Sequence, residues 1–201
     1  MVHGSNEANH ELHTTSSILL HPLLAFDLLC GVPSLARSFI KTLEQEDLVY
    51  DPSSSIKVVI DIQAGFALHV LETLSGKGLC IIVITFSFCP EYWDDLWDLH
   101  PDVLTVASAL ERDFVGTVRR AALGERYRIV PKFKTALSKT ERDVLCHLAR
   151  GWSNKKIALH LGLQEKTVLN TLTSVYDKLH LHNRTEALLY YWGISNDVYI
   201  L

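Results

Sequence analysis

Residues 137–187 decide the fold of the C-terminal part of this 201-residue chain, and they read LSKTERDVLCHLARGWSNKKIALHLGLQEKTVLNTLTSVYDKLHLHNRTEA. Apolar residues recur at helical spacing in three stretches, which predict helices over Lys139–Ala149, Asn154–His160 and Glu165–Leu179. A glycine separates each helix from the next. Two helices joined by a tight glycine turn, the second longer and partly polar, are typical of a helix-turn-helix.

Capping residues and a repeated apolar face support these helices. Ser138 stands three residues before Glu141, which predicts a capping box, and Ser153 precedes the second helix. A fourth helix is predicted over Arg184–Trp192. The apolar positions expected to form the core are Leu137, Val144, Leu145, Leu148, Ile157, Ala158, Leu161, Leu163, Val168, Leu172, Val175, Tyr176 and Leu179. A helical bundle that does not bind DNA can show the same apolar repeat.

The residue sequence gives more information than the apolar repeat alone. It resembles that of the LuxR/FixJ/NarL class of bacterial transcription regulators. The resemblance runs from residue 137 to residue 187 without a gap. It rests on Leu137–Leu145 (LSKTERDVL), Gly151 with Ser153–Ala158 (SNKKIA), Leu161–Leu163 (LGL), Glu165–Val168 (EKTV), and Lys178–Leu179 followed by Asn183–Ala187 (NRTEA). It implies a protein that binds double-stranded DNA as a dimer.

The third helix is expected to enter the major groove with the face between Thr167 and Lys178. Lysines at the helix starts are expected to approach phosphates, which set affinity, while contacts to base edges set the sequence that is bound. The predicted DNA contacts are Lys155, Lys156, Lys166, Thr167, Leu169, Asn170, Thr173 and Lys178.

This face departs from the pattern of the class it resembles. Leu169 stands where such regulators usually carry a lysine, and Asp177 stands where a basic residue is common. Leu169 can touch a thymine methyl group and Asn170 can pair with adenine, which predicts a site that leans towards A·T pairs. The same substitutions, with Thr173 also on this face, are equally compatible with weak DNA binding.

Charge divides the chain into two parts. From Lys132 to the end there are ten Lys and Arg against six Asp and Glu, a balance of +4, whereas residues 1–131 carry nine basic and seventeen acidic side chains, a balance of −8. Such a split predicts two domains with different partners. A hydrophobic content of 48% suits two ordinary globular cores.

Membrane, metal and redox sites find little support in the sequence. No apolar run approaches the ~18 residues of a membrane span, and residues 1–13 lack the pattern of a signal peptide, so a cytoplasmic protein is expected. The cysteines, Cys30, Cys80, Cys89 and Cys146, form no CxxC pair and are expected to be buried reduced thiols. The histidines are scattered, so no metal and no other cofactor is predicted. The sequence shows no nucleophile paired with a base, so no enzymatic activity is predicted.

The N-terminal part alternates short apolar runs with helical patterns. Strands are predicted over Ser17–Leu20, Ile56–Ile62, Leu79–Thr85 and Val103–Val106, and helices over Pro22–Val32, Pro33–Glu46, Gly65–Leu74, Pro90–Leu99 and Leu110–Leu123. Nearly continuous apolar strands between helices indicate a parallel sheet covered on both faces, hence a doubly wound α/β domain.

This part resembles the receiver domain of response regulators, in a degenerate form. Val58–Ile62 and Val83–Thr85 match its third and fourth strands, and the resemblance makes Asp61 the possible phosphoacceptor with Thr85 as its hydroxyl partner. The acidic pair that holds magnesium in receivers is missing, because Ile18–Leu20 runs straight into His21–Pro22. An alternative register puts Cys30 and Gly31 at the acidic positions instead. The position of the receiver's lysine holds Ala107.

These gaps weaken the case for phosphorylation. Phosphoryl transfer to a carboxylate depends on a divalent cation and on fixed positive charge. We therefore expect Asp61 to cap the next helix or to hydrogen-bond with Thr85.

A cluster of aromatic side chains between Phe86 and Trp97 is a possible surface for a partner or a small ligand. Its members are Phe86, Phe88, Tyr92, Trp93 and Trp97, and three acidic residues lie among them. Trp93 and Trp97 are four residues apart and share a helix face. Packing in the core is the alternative use of these side chains.

The sequence thus predicts a flexible tail over 1–15, a pseudo-receiver over 16–123, a linker over 124–135 and a helix-turn-helix domain over 136–201. The predicted function is phosphorylation-independent transcription regulation by a dimer whose reading helices lie ~34 Å apart. Leu188, Leu189, Tyr191 and Trp192 of the last helix are expected to supply a second dimer contact. The alternatives are a conventional regulator phosphorylated at Asp61, an auxiliary partner that forms heterodimers with another regulator, and a ligand or redox sensor.

Overall fold

The chain forms an α/β domain followed by a helical domain in a computed structural model that describes residues 23–107, 114–133 and 135–194. In the first domain the elements are β1 (Leu24–Cys30), α1 (Pro33–Glu44), β2 (Leu48–Tyr50), β3 (Ile56–Asp61), α2 (Phe66–Leu74), β4 (Cys80–Thr85), α3 (Pro90–Asp98), β5 (Val103–Val106), α4 (Phe114–Ala122) and β6 (Tyr127–Ile129). The C-terminal domain contains α5 (Lys139–Ala149), α6 (Asn154–Leu161), α7 (Glu165–Leu179) and α8 (Arg184–Tyr191).

Six parallel strands form one sheet in the order β2-β1-β3-β4-β5-β6. Alternate residues of the central strands point to opposite faces, as the strand period of two requires. Val59 and Val83 pack in a cluster with α2 and α3, whereas Val58 and Ile82 pack in a second cluster with α1 and α4. The predicted doubly wound α/β architecture is confirmed.

The first strand corrects the sequence analysis, because β1 occupies residues that were predicted as the helix Pro22–Val32. Apolar residues in LLAFDLLC fit both helical and strand spacing, so the local pattern does not separate the two. Phe26 and Leu28 are buried, and Asp27 between them pairs with Lys57 of β3 at 2.9 Å. This cross-strand partner is thirty residues away along the chain and gives no local signal.

The edges of the sheet also differ from the prediction. Strand β2 was not predicted, and β6 adds to the sheet residues that the sequence analysis assigned to the linker. Helix α4 is described from Phe114, and residues 110–113 of the helix predicted there lie outside the described residues, as do the tail 1–15 and the strand predicted over Ser17–Leu20.

All four helices of the C-terminal domain match their predicted bounds to within one residue. The side chain of Ser138 accepts from the backbone of Glu141 while the Glu141 side chain accepts from the backbone of Ser138, which closes the predicted capping box. Ser153 caps α6, and Gly162 ends it with a φ of 66°, a left-handed conformation that glycine adopts without strain.

Candidate functional site

Helix α7 has one buried and one exposed face. Val168, Leu172 and Val175 are at most 3% exposed and fix the helix to the rest of the C-terminal domain. On the other face lie five of the predicted DNA contacts, and the side chains of all of them are exposed: Lys166, Thr167, Leu169, Asn170 and Thr173. A long helix whose outer face is free is the geometry by which a helix-turn-helix enters a major groove.

Two threonine hydroxyls on α7 donate hydrogen bonds to the backbone of the helix itself. Thr171 donates to the carbonyl oxygen of Thr167 at 2.9 Å, and Thr173 donates to that of Leu169 at 3.1 Å. Each of these hydroxyls therefore has its proton engaged and keeps only an accepting lone pair for a further partner.

The four predicted lysine contacts fall into two groups. Lys155 and Lys166 are exposed near the starts of α6 and α7, and Lys156 is exposed with its ammonium 3.9 Å from the Trp152 ring. Lys178 instead donates to Oε2 of Glu141 at 2.7 Å. Three of the lysines are therefore exposed at the helix starts, while the fourth holds the end of α7 against α5.

Glu141 makes most of the side-chain hydrogen bonds that join α7 to α5. Its carboxylate also accepts from Ser174 of α7 at 2.7 Å and from Ser138 at the start of α5. Burial opposes its ionisation, but the hydrogen bonds from Lys178, Ser174 and Ser138 outweigh burial and lower the pKa of Glu141 to about 2. Sequence reasoning found the capping box but missed this second role, because the partners of Glu141 lie more than thirty residues away.

Asp61 lies at the carboxyl end of β3 and is only 4% exposed. Oδ1 accepts from the backbone N–H of Ala67 at 3.0 Å, in the first turn of α2. Oδ2 accepts from the hydroxyls of Thr85, at 2.7 Å, and Tyr92, at 2.9 Å. Burial raises the pKa of Asp61 in spite of these three donors. Both structural roles expected for Asp61, at the start of α2 and as partner of Thr85, are confirmed.

The neighbourhood of Asp61 does not fit the divalent cation that receivers use. Strand β1 ends at Cys30, so Cys30 and Gly31 stand where the acidic pair would be, as in the alternative register. A side chain at Gly31 would collide with the amide of Gln63, which fills that space. Ala107 follows β5 at the position of the lysine. Magnesium requires carboxylate oxygens that these residues do not provide.

A profile of the family "Bacterial regulatory proteins, luxR family" (GerE) matches residues 135–191. Those residues form a luxR-family domain. The probable HTH-type transcriptional regulator GfsR of Streptomyces halstedii is 45% identical over 58 residues, 29% of this chain and 24% of that protein. The transcriptional regulatory protein YdfI of Bacillus subtilis is 46% identical over 55 residues, 27% of this chain and 26% of that protein. The chain thus covers about a quarter of the length of these curated relatives.

Longer matches extend into the α/β domain. The putative HTH-type transcriptional regulator YhjB of Escherichia coli is 32% identical over 120 residues, 54% of this chain and 59% of that protein. RcsB from Salmonella enterica serovar Typhimurium, solved with promoter rprA and a phosphomimetic, is 19% identical with a TM-score of 0.53 and covers 84% of this chain and 98% of that chain. A structure of two RcsB dimers on two parallel DNAs gives 18% identity, a TM-score of 0.52 and coverage of 86% and 99%. The shared fold is a receiver-like α/β domain followed by the luxR-family domain.

The end of α8 in the luxR-family domain lies directly on the strand ends around Asp61. The ring of Tyr92, whose hydroxyl bonds Asp61, packs edge-on against Tyr191 and Trp192 with centroid distances of 5.5 and 5.7 Å. Tyr191 is fully buried there. The second dimer contact predicted for α8 is therefore wrong for Tyr191, because this side chain is used inside the chain.

Two glycines permit this close approach, one from each domain. Gly65, with a φ of 78°, lies under Trp192, and a Cβ atom at Gly65 would be 2.9 Å from its ring. Gly193, with a φ of 68°, lies against Ser87 and Phe88 of the loop after β4. A Cβ atom at Gly193 would lie 3.0 Å from Oγ of Ser87, so a side chain at either glycine forces its neighbours across the contact to shift.

The outer face of α3 supplies most of the polar contacts between the domains. Four acidic residues form this α3 carboxylate face: Glu91, Asp94, Asp95 and Asp98. Glu91 accepts from the hydroxyls of Tyr190 and of Thr135. Asp95 accepts from the hydroxyl of Tyr191 at 2.6 Å. Sequence reasoning noted Glu91, Asp94 and Asp95 among the aromatic residues but gave them no partners; the tyrosine partners of Glu91 and Asp95 belong to the other domain.

Two arginines, Arg142 of α5 and Arg150 directly after it, complete the contact. Arg142 pairs with Asp95 at 3.4 Å and with Asp98 at 3.0 Å, and Arg150 pairs with Glu72 of α2 at 2.7 Å. Burial raises the pKa of Asp95 to about 7, although the hydrogen bond from Tyr191 and the charge of Arg142 act in the opposite direction. One of the carboxyl groups at the interface thus titrates near neutral pH.

The aromatic residues predicted as a partner or ligand surface separate into two classes. Tyr92 and Trp93 are buried in the core, and Trp97 packs under the guanidinium of Arg126 at 4.2 Å. Phe86 and Phe88 are each 43% exposed. Phe86 borders a cavity of about 180 Å³ that Asp61, Tyr92, Trp192 and Ile194 also line. The use of this surface stays a prediction.

The remaining sequence-based expectations concern the cysteines, the potential metal ligands and the apolar helices. Cys30, Cys80, Cys89 and Cys146 are all free thiols, two of them buried and two half-buried. Within residues 23–107, 114–133 and 135–194, no group of three potential metal ligands comes together. None of the described helices is both long and apolar enough to cross a bilayer.

Proposed function

We propose that the chain is a transcription regulator that binds double-stranded DNA by inserting α7 into the major groove. The observation that carries this proposal is the exposed outer face of α7 on a luxR-family domain, with Val168, Leu172 and Val175 buried behind it. Solved structures of the same fold are complexes of RcsB with DNA, which supports the proposal.

Affinity comes from phosphate contacts made by Lys155, Lys156 and Lys166. All three side chains are exposed near the starts of α6 and α7, where backbone N–H groups also favour anions. Lys178 has a structural role in this proposal, because its ammonium is held by Glu141. Three phosphate contacts per domain predict a clear dependence of affinity on salt.

The regulator acts without phosphorylation of Asp61. Three donors already occupy its carboxylate, Tyr92 and the end of α8 cover it, and the residues around it cannot hold magnesium. A phosphoryl group at Asp61 would have to displace the hydroxyls of Thr85 and Tyr92. We therefore favour this function over the conventional phosphorelay alternative.

The active form in this proposal is a homodimer that pairs through the receiver-like domain. Tyr191 is buried against the chain's own α3, and Trp192 is partly buried against Tyr92 and Gly65, which leaves little of the end of α8 for a second copy. A structure of RcsB shows dimers on DNA, which is compatible with pairing of this kind. Light scattering with and without DNA measures the number of copies bound.

A ligand-sensing regulator is the second candidate, favoured by the cavity of about 180 Å³ beside Asp61. Residues of both domains line it, so a small molecule bound there would act on the contact between them. A compound that fills the cavity should change the fluorescence of Trp192 and the affinity for DNA together.

Selection of bound DNA from a random pool, repeated over a series of salt concentrations, tests the main proposal. We expect a specific site with two half-sites, unchanged in Asp61→Ala and unchanged by acetyl phosphate. Loss of DNA binding in Asp61→Ala, with the fold intact by circular dichroism, would support the conventional phosphorelay regulator. Absence of any binding at low salt would reject DNA binding and favour an auxiliary protein partner.

A further inference from the structure

The reading face of α7 carries a large apolar side chain at its centre. Leu169 is 55% exposed, although Val168, Leu172 and Val175 on the opposite face of the helix are at most 3% exposed. On a helix, Leu169 and Thr173 are neighbours one turn apart, and Lys166 lies one turn before Leu169. The exposed surface of α7 therefore places an apolar leucine between Lys166 and Thr173.

The polar side chains of this surface offer few hydrogen-bond donors to DNA bases. The hydroxyl protons of Thr171 and Thr173 are bonded to backbone carbonyls at 2.9 and 3.1 Å, so these side chains keep only an acceptor and a methyl group for DNA. Asn170 is exposed, and in the described part of the chain its amide has no hydrogen-bond partner. It can therefore offer both a donor and an acceptor to one base.

Guanine finds no matching partner at the centre of this helix. The common specific contact to guanine is a bidentate arginine or lysine. The helix has two lysines: Lys178 is bonded to Glu141 at 2.7 Å in the last turn, and Lys166, in the first turn, is assigned to a phosphate in the proposed function. Asp177, two turns beyond Leu169, is distant from the N-terminal half of the helix, which contacts base edges in this motif.

We propose that α7 recognises A·T pairs, with Leu169 packed against the C5 methyl group of a thymine and Asn170 bonded to N6 and N7 of an adenine. This inference rests on the proposed DNA-binding function and adds the class of sequence that is bound. Leu169 and Asn170 are specificity-determining residues. An apolar contact with a thymine methyl group and a bidentate pair between asparagine and adenine are both established modes of base readout.

Replacement of thymine by uracil tests the leucine contact, because uracil pairs identically but lacks the C5 methyl group. Each thymine of the selected half-site is replaced in turn, and affinity is measured by fluorescence anisotropy at fixed salt. At one position the wild-type chain should lose about fourfold in affinity, the equivalent of one buried methyl group. In Leu169→Ala the thymine and uracil duplexes should bind equally.

Leu159→Ala is the matched control variant. Leu159 is also an exposed leucine of the same domain, 85% exposed on α6, but it lies outside the reading face of α7. Its replacement should leave the ratio of thymine to uracil affinity at the wild-type value. Asn170→Ala should reduce discrimination between adenine and guanine at the neighbouring pair by roughly tenfold.

The outcomes separate this inference from the proposed function. Specific binding to a G·C-rich site, or a thymine to uracil ratio of one at every position for the wild-type chain, would overturn A·T recognition and leave DNA binding intact. A uracil effect that persists in Leu169→Ala would also overturn it. Failure to bind any duplex at low salt would instead reject the proposed function itself.

Discussion

The Tyr92 hydroxyl donates to Oδ2 of Asp61 at 2.9 Å while the edge of its ring contacts Tyr191 of the luxR-family domain. Removal of the hydroxyl in Tyr92→Phe leaves Asp61 buried with one donor fewer. We expect the free energy of unfolding to fall by about 1.5–3 kcal/mol, the range for a hydrogen bond to a charged group, as measured by urea denaturation.

Tyr127→Phe is the control for that loss. The Tyr127 hydroxyl is buried and finds no hydrogen-bond partner among the described residues. Its removal should leave the stability unchanged or raise it, because no bond is lost. Equal effects of the two substitutions would mean that the bond between Tyr92 and Asp61 contributes nothing.

Gly65→Ala should separate the two domains. A Cβ atom at Gly65 would lie 2.9 Å from the Trp192 ring, and the φ of 78° adds strain. Gly76 has nearly the same φ, 74°, and open space around it, so Gly76→Ala shows the backbone strain alone. Both variants should lose about 1 kcal/mol through the left-handed backbone.

The difference between these variants is seen in the segment that joins the domains. Trypsin should cleave after Lys132 faster in Gly65→Ala than in the wild-type chain, and at the wild-type rate in Gly76→Ala. Equal cleavage in both would show that the packing of Trp192 on Gly65 does not hold the domains together.

Asp95 gives the stability a dependence on pH. Its pKa in the folded chain is about 7, raised by burial from the usual 3.8, so the folded state binds the proton more tightly than the unfolded state does. The free energy of unfolding should therefore fall as the pH rises from about 4 to 7 and should change little through Asp95 above that range. Tyr191, Arg142, Asp98 and Asp143 are the groups that face this carboxyl and act on it.

Comparison of two variants isolates that contribution. Asp95→Asn should lose the Asp95 component of the slope between pH 5 and 7 in urea denaturation, while Tyr191 can still donate to the amide oxygen. Asp94→Asn changes the neighbouring, more exposed carboxylate, which pairs with Arg128 at 2.7 Å and more distantly with Arg142 at 3.7 Å, and should retain the slope. A wild-type slope in Asp95→Asn would rule out this titration as its source.

Lys166 and Lys178 should behave differently although both lie on α7. Lys166→Ala removes an exposed cation and should reduce the slope of log affinity against log salt by about 0.9, the value for one phosphate contact. Lys178→Ala removes the partner of Glu141, so it should lower the free energy of unfolding and leave the salt slope unchanged. Anisotropy titrations at four salt concentrations and urea denaturation give both quantities for each variant.

The luxR-family domain could be predicted closely because its signals are local. Ser138, Ser153 and Gly162 mark helix ends within a few residues of the apolar positions that they delimit. In the receiver-like domain, β1 was predicted as a helix because its apolar residues satisfy two periods at once, and the pairing of Asp27 with Lys57 that comes with the sheet is not local.

The contact between the domains could not be predicted from any single segment. Asp95 and Tyr191 are 96 residues apart, and their bond depends on how two complete domains dock. Sequence reasoning expected Asp61 to be a structural residue because the phosphorylation apparatus was missing. It did not predict that Tyr92 would donate to the same carboxylate and also pack against Tyr191 at the end of α8.

The docked arrangement leaves the outer face of α7 exposed while it covers the end of α8. A protein that must first open to bind has its affinity reduced by the fraction of molecules that are open. Here the outer face of α7 is already exposed in the docked molecule, so binding does not require a rarer, open conformation. In the proposed function, docking therefore withholds no folded chain from DNA, and only the pairing of two chains sets the concentration of binding-competent molecules.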